Sequence, residues 1–275
     1  MTDTQLADPE QMATPALFEE KAGPFALFLD FDGTLVEIAS RPDAVEVADE
    51  LPGLLARLRD RLGGALAIVS GRPIAVLDAY LAPHRFDAAG LHGAEQRIGG
   101  VVEVDEASDP GRLRPLVAEL KAFADSRPGV IVEDKGRSLA LHWRQAPRFG
   151  DEAIETMRGV SQLLGRDYRL QEGKNVIELL PRWATKGAAI SRFLDAEPYA
   201  HRRPVFVGDD ATDEHGFEVV EGRGGIAIRI GQGPTLASHR LTSPRELHRL
   251  LASWEFATEP DLAGRSHQSI SQDPS

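Results

Sequence analysis

The stretch FALFLDFDGTLVE, Phe25 to Glu37, constrains the fold most. Phe25 to Leu29 and Phe31 are apolar without the alternation that leaves one strand face in water. Such a run suits a central strand of a parallel sheet, covered on both sides. Asp30 interrupts the run and Asp32 follows it, so two carboxylates stand where a dry strand ends. Two further runs end in the same manner. Ala65–Val69 leads into Ser70-Gly71-Arg72, and Val205–Val207 leads into Gly208-Asp209-Asp210. GGIAIRI, 224–230, reads as another strand.

Helical patterns lie between these runs. Asp49–Leu62 places Leu51, Leu54, Leu55, Leu58 and Leu62 on one face, and Thr185–Glu197 is a second candidate. A last helix opens with Ser243 as N-cap, Pro244 in the first turn and Glu246 completing a capping box. The middle of the chain reads differently. Residues 129–144 form two strands joined at Lys135-Gly136, and 167–181 form two more, turning at Glu172-Gly173. Helical stretches precede them near 112–126 and 151–164. The fold class expected is therefore α/β: a Rossmann-like parallel-sheet core, residues 21–104 and 181–256, with an inserted α+β unit of two hairpins plus helices at 105–180. Residues 1–20 and 257–275 are polar, lack periodicity and read as mobile tails.

The chain has 275 residues, enough for a core domain plus a smaller one. Its net charge of −12 disfavours nucleic acid and anionic membranes as partners. A small anionic substrate would also be repelled, so a phosphate site must supply its own cations. There is no cysteine, which excludes thiol chemistry, disulfides and thiolate metal sites. The N-terminus shows no secretion signal and no apolar run is long enough to span a membrane, so a cytoplasmic protein is expected. Only five of 31 basic residues are lysine: Lys21, Lys121, Lys135, Lys174 and Lys186. A lysine kept in so arginine-rich a chain fits either a position that needs a compact ammonium or chance.

Ligands of open α/β sheets bind beyond the carboxyl ends of the strands. Those ends collect Asp30, Asp32, Ser70, Asp209, Asp210 and Asp213, with Lys186 at the start of its helix. Carboxylates gathered this way repel unless a cation binds them. Hard oxygen donors favour Mg²⁺ over zinc, with Asp30, Asp32, Asp209, Asp210 and Asp213 as candidate ligands. His92, His142, His201 and His215 show no zinc-like spacing and read as structural or surface residues. Asp30 is placed to attack phosphorus and form an acyl phosphate that water then cleaves. Asp32, two residues on, is placed to protonate the leaving oxygen and then to activate the water. Gly33 and Thr34 turn backbone N–H groups toward the phosphate. Ser70 and Lys186 engage phosphoryl oxygens.

The motifs DFDGTL, VSGR, the lysine of TKG, and GDDATDE resemble the haloacid dehalogenase superfamily of phosphatases. GLHGAE (90–95), VEDKGRSLALHWR (132–144), EGKNVIELLP (172–181) and the TDE ending at Glu214 are similar to the trehalose-6-phosphate phosphatase family within it. The likeness spans about residues 25–250. It implies that the inserted unit is a cap closing over a sugar. Carried onto this chain, it makes Glu133, Lys135, Arg144, Lys174, Asn175 and Glu178 sugar contacts, and adds Thr34, Gly71, Arg72 and His92 to the substrate-binding candidates. A disaccharide presents many hydroxyls, so directed donors and acceptors suit its selection. Lys135 and Lys174 also fit ordinary turn positions, but Asn175 is the only asparagine in the chain.

The activity implied is Mg²⁺-dependent hydrolysis of trehalose 6-phosphate through an aspartyl phosphate. A monomer is expected, acting beside a separate trehalose-phosphate synthase. A phosphatase for sucrose phosphate or mannosylphosphoglycerate would share the same core residues and stays open. So does a phosphomutase, which would need a sugar bisphosphate. A non-catalytic sugar-phosphate sensor would be marked by loss of Asp30, Asp32 or Lys186, and all three are present.

Overall fold

The computed structural model describes residues 11–18, 24–39, 41, 44–104 and 110–256. The tail residues 1–10, 19–20 and 257–275, Lys21, and the boundary at 105 lie outside them. The apolar runs all become neighbouring strands of one sheet. β2 (Phe25–Leu29) lies between β3 (Leu66–Val69) and β11 (Arg203–Gly208), parallel to both. Every residue of β2 and β3 is buried, as expected of strands covered on both faces.

The sheet has nine strands and extends well beyond these three. On the β11 side lie β12 (Ile226–Ile230), β13 (His239–Leu241) and β1 (Gln11–Met12), all parallel. On the β3 side lie β4 (Asp87–Gly90), parallel, then β5 (Glu95–Ile98) and β6 (Val101–Val104), antiparallel. β12 coincides with the run expected at 224–230, whereas β1, β4, β5 and β13 are short and polar or small in composition and leave no apolar run in the sequence. β1 corrects the expectation of a tail over residues 11–18. Edge pairing through the backbone, continued by Ala13 N–H to the Arg240 carbonyl at 2.9 Å, needs no hydrophobic pattern.

Helices cover both faces. α1 (Leu51–Arg61) packs with α7 (Pro244–Phe256), while α5 (Lys186–Leu194) packs with α6 (Glu214–Gly222). α2 (Ile74–Tyr80) joins β3 to β4. All the α1 leucines expected on one face are buried. At the centre, Phe28 meets Phe193 and Tyr199, each ring 5.6 Å away. The buried Tyr199 hydroxyl donates to Asp87 at 2.8 Å, with the Leu66 carbonyl oxygen 3.1 Å away as the alternative acceptor, which satisfies its polar tip.

A second, four-stranded antiparallel sheet has the order β7 (Ile131–Asp134), β8 (Leu139–His142), β10 (Val176–Pro181), β9 (Tyr168–Gly173). α3 (Pro110–Asp125) and α4 (Gly150–Leu164) pack on it. Alternation with period two sorts its side chains. Leu139, Leu141, Ile177 and Leu179 enter a core with Leu120 and Met157. Glu133, His142, Val176 and Glu178 line a cleft instead. The β9–β10 turn falls at Lys174-Asn175, not at Glu172-Gly173. Gly173 pairs with Val176, and Asn175 takes the left-handed φ of +61°. Asparagine tolerates that conformation, which explains its place there. Among the described residues no helix is long and apolar enough to cross a membrane.

Replacing Phe28 by Ala removes a fully buried ring from the centre of the main core. The expected cost is about 3–5 kcal/mol. Urea unfolding should show a lower midpoint with an unchanged denaturant slope.

Candidate active site

Asp30 follows β2 and keeps its ladder going, its N–H donating to the Val207 carbonyl at 3.0 Å. The residue is 4% exposed. Lys186 Nζ donates to Asp30 Oδ1 at 2.7 Å and to Asp213 Oδ1 at 2.6 Å. The Thr34 hydroxyl reaches Asp30 Oδ2 at 3.3 Å. Lys186 is the first residue of α5, whose N-cap Thr185 accepts from the Ala188 N–H at 3.0 Å. Gly187 lets that helix start press onto α6, because a Cβ there would lie 2.3 Å from the His215 carbonyl oxygen. The lysine is therefore fixed by its helix, and the helix by its neighbour.

Asp209 and Asp213 come from the turn after β11. Asp213 is fully buried, and its Oδ2 accepts from the N–H groups of Asp209 (3.0 Å) and Asp210 (2.9 Å). Asp210 is exposed and its carboxylate accepts from the Ala211 N–H at 2.6 Å, capping the turn rather than facing Asp30. The Asp209 carboxylate rests on Gly33. A Cβ at Gly33, where φ is +78°, would lie 2.1 Å from Asp209 Oδ2. The glycine therefore serves close approach as well as the turn.

Among the described residues, Asp30, Asp209 and Asp213 bring oxygens within 4.8 Å of one another, a group that could hold a metal ion. Both oxygens of Asp213 are already engaged, by Lys186 and by two amides. The least engaged oxygens are those of Asp209 and Asp30 Oδ2, whose contact with the Thr34 hydroxyl is a long 3.3 Å, and their chemistry fits an oxygen-seeking divalent ion. Burial pushes Asp30 well above the usual carboxylate range, despite the opposing pull of Lys186. Burial and then the Asp213 charge push Asp209 up to about 7. Burial pulls on Lys186 in the opposite sense, but Asp213 and Asp30 outweigh it and hold the ammonium above its ordinary value.

Ser70, 1% exposed, accepts from the Arg72 N–H at 3.1 Å. Asp32 turns toward Arg72, whose Nε and Nη2 reach its two oxygens at 2.6 and 2.7 Å. GLHGAE forms a tight crossing beneath this loop. Leu91, His92 and Gly93 all have positive φ, and a Cβ on Gly71 would sit 2.6 Å from His92 Nε2. Glu95 accepts from the first N–H of α2, on Ile74, at 3.0 Å.

The inserted unit meets this floor through Glu178. Its carboxylate accepts from Lys135 Nζ at 2.8 Å and from the Ser138 hydroxyl at 2.9 Å, and lies 3.3 Å from His92 Nε2. Lys135 also reaches the Gly71 carbonyl at 3.3 Å. Arg144 donates to the Ala39 carbonyl. Glu133 pairs with His142 Nε2 at 2.9 Å. Lys174 and Asn175 line the cleft from the β9–β10 turn. The cleft has two lobes that share Asp32, Gly71, Arg144, Lys174 and Glu178. One, about 380 Å³, lies over Asp30, Lys186 and Asp209, and the other, about 250 Å³, lies toward Glu133 and His142.

The structure thus gathers Asp30, Asp32, Ser70, Lys186, Asp209 and the inserted-unit candidates around one cleft. Asp210 lies at its edge with its carboxylate used as a cap, and Thr34 stays buried beneath Asp30. Sequence reading did not find Ser138, and it left His142 as a structural or surface residue. Both acquire their roles by strand pairing, through β7–β8 and β8–β10, and no local pattern marks them.

Burial opposes the charge on Glu178, but Lys135 and His92 outweigh it and hold the carboxyl below its ordinary value. Burial pushes the His92 imidazole below its ordinary 6.5. The signs agree. Folding excludes a proton from His92, so stability falls as pH drops below about 6.5, where the unfolded imidazole charges. The Glu178 contribution is complete above its unfolded value and is lost as pH falls below about 4.5. Urea midpoints between pH 7 and 4 should decline in those two windows. His92→Gln should flatten the upper one; an unchanged slope between pH 7 and 5 would count against the assignment.

The family model described as trehalose-phosphatase matches residues 28–247. A probable trehalose-phosphate phosphatase of Sinorhizobium fredii is 45% identical over 221 residues, 80% of this chain and 82% of that protein. Trehalose-6-phosphate phosphatase of Escherichia coli is 42% identical over 223 residues, 81% and 83% of the two chains. Among solved structures, the C-terminal domain of a C. albicans trehalose-6-phosphate phosphatase superposes with a TM-score of 0.78 at 23% identity. It covers 91% of this chain and 98% of that one, and at that identity the likeness speaks for the fold.

Proposed function

The chain belongs to the trehalose-phosphatase family, and we propose that it hydrolyses trehalose 6-phosphate to trehalose and inorganic phosphate. The observation that carries this reading is Asp30, buried at the end of a central strand and held by Lys186 at 2.7 Å, at the floor of a two-lobed cleft. Asp30 attacks phosphorus, the bond to the sugar 6-oxygen breaks, and Asp32 gives that oxygen a proton. Asp32 then accepts a proton from water as the water attacks the phosphorus of the acyl phosphate. Phosphate leaves and Asp30 is restored. Lys186 stays between Asp30 and Asp213, so its charge is in place before the reaction begins. The Ser70 hydroxyl and the turn amides offer donors to phosphoryl oxygens.

Asp30 and Asp209 are the residues that would hold Mg²⁺, with Asp213 and Asp210 supporting their turn. Bound there, the ion would supply charge neutralisation for the phosphoryl group. The second lobe suits the distal sugar. Glu133, Lys135, His142, Arg144 and Glu178 offer charged or polar groups against an apolar wall that includes Ile131 and Val176. A disaccharide presents hydroxyls to the first set and ring faces to the second.

Asp30→Asn keeps the shape of the site and removes the nucleophile. Phosphate release should fall by about 10³-fold or more, with the thermal unfolding profile of a folded protein retained. Near-normal release by that variant would refute the assignment. In a panel of trehalose 6-phosphate, sucrose 6-phosphate and glucose 6-phosphate, the first should show the highest kcat/KM. Equal values across the panel would remove the case for selection by the inserted unit.

A further inference from the structure

Arg72 is built into the floor of the cleft more firmly than a phosphate ligand needs to be. Its N–H donates to Ser70 Oγ at 3.1 Å, and its carbonyl accepts from the Leu91 N–H at 3.1 Å. Its guanidinium lies over two rings, 5.3 Å from the centroid of Tyr80 and 5.8 Å from that of Phe31. Those rings lie 5.7 Å from each other. A planar, stacked guanidinium presents its donors in a fixed direction. Here Nε and Nη2 each take one oxygen of Asp32, at 2.6 and 2.7 Å. The Arg72 side chain is 14% exposed and that of Asp32 38%, so the carboxylate is the freer partner.

This pairing conflicts with the work assigned to Asp32. A group that must hand a proton to a leaving oxygen, and later take one from water, needs an oxygen turned to the substrate. In the fork both oxygens face Arg72. Asp32 must therefore leave at least one arm of the pair before either proton moves. A second carboxylate, Glu133, lines the same lobe as Arg72 and Asp32.

We propose that Arg72 is a positioning residue that keeps Asp32 in a resting pose and yields it only when a sugar fills the cap-side lobe. The inference rests on the reading of the site as a sugar-phosphate phosphatase. A ligand shifts such an equilibrium only by its unequal affinity for the two states. The sugar provides that inequality in two ways. Its 6-oxygen competes for Asp32, and its hydroxyls disturb the Glu133, Lys135 and His142 cluster beside Arg72. A phosphate ester without a sugar fills the lobe over Asp30 and brings its leaving oxygen to Asp32, but it offers nothing to that cluster. The latch thereby ties phosphoryl transfer to occupation of the second lobe, which protects other cellular phosphate esters.

The test compares trehalose 6-phosphate with p-nitrophenyl phosphate, in the Mg²⁺-supplied enzyme. Arg72→Lys keeps a cation and an aliphatic stem against the rings but makes no fork. Its kcat on p-nitrophenyl phosphate should rise about ten-fold, equivalent to about 1.4 kcal/mol of barrier. KM should move little, and the gain on the sugar phosphate should be smaller. Arg72→Gln, which also removes the charge, should shift the kcat ratio in the same direction. Adding Asp32→Asn should abolish the gain. An unchanged kcat on p-nitrophenyl phosphate, a parallel fall on both substrates, or a gain that survives Asp32→Asn would each overturn the proposal. Wild-type turnover of trehalose 6-phosphate is a separate check. Its absence would sink the functional reading, and the p-nitrophenyl phosphate arm would still decide the latch.

Discussion

One buried ammonium holds the working end of the sheet together. Lys186 stands between Asp30 and Asp213, with each bond shorter than 2.8 Å and all three side chains nearly excluded from water. A carboxylate buried without such a partner would protonate or force its strand to shift. Removing one partner of a buried ion pair typically costs about 3–5 kcal/mol. Much of the local architecture serves this contact. Thr185 caps the helix that carries the lysine, Gly187 admits that helix against α6, and the amides of Asp209 and Asp210 saturate the far side of Asp213. Asp209 is left with less compensation than its neighbours. It sits against Gly33 in a place where an additional cation would be welcome.

The inserted unit meets the core through charges that are also candidates for sugar contact. Glu178 joins Lys135 and Ser138 of the inserted unit to His92 of the core, and Lys135 reaches on to Gly71. The contact between the inserted unit and the core at this point is therefore polar. Such a contact can open without exposing apolar core. The inserted unit keeps its own hydrophobic cluster around Leu139, Leu141, Ile177 and Met157. Period-two alternation allows this division, since residues next to each other in a strand face opposite ways.

Legibility in the sequence followed burial. β2, β3 and β11 are covered on both faces, so their apolar runs announced strands. The α1 leucines showed their helix by spacing. β4, β5, β6 and β13 left no such mark, being short, half-exposed or made of small residues. The turn at Lys174-Asn175 was displaced by two residues because the neighbouring glycine was the louder signal, whereas the backbone used asparagine for its positive φ. At the site, Asp30 and Lys186 could be nominated from their motifs. The destinations of Asp210, which caps its own turn, and of Asp32, which turns to a guanidinium forty residues away, could not.

Hydrophobic runs and their polar endings are local properties of the chain, so the order of residues already places Asp30, Ser70 and Asp209 at the carboxyl ends of the parallel strands. It also determined the chemistry on offer there: carboxylates, one lysine, a serine and no thiol. The tertiary structure alone decided how those groups are shared. Asp213 is spent on Lys186 and backbone amides, Asp209 is brought against Gly33, and Asp32 is given to Arg72. A carboxylate pairs with whatever donor lies within about 3 Å of it. That distance is set by the packing of distant strands and helices, which no stretch of sequence records.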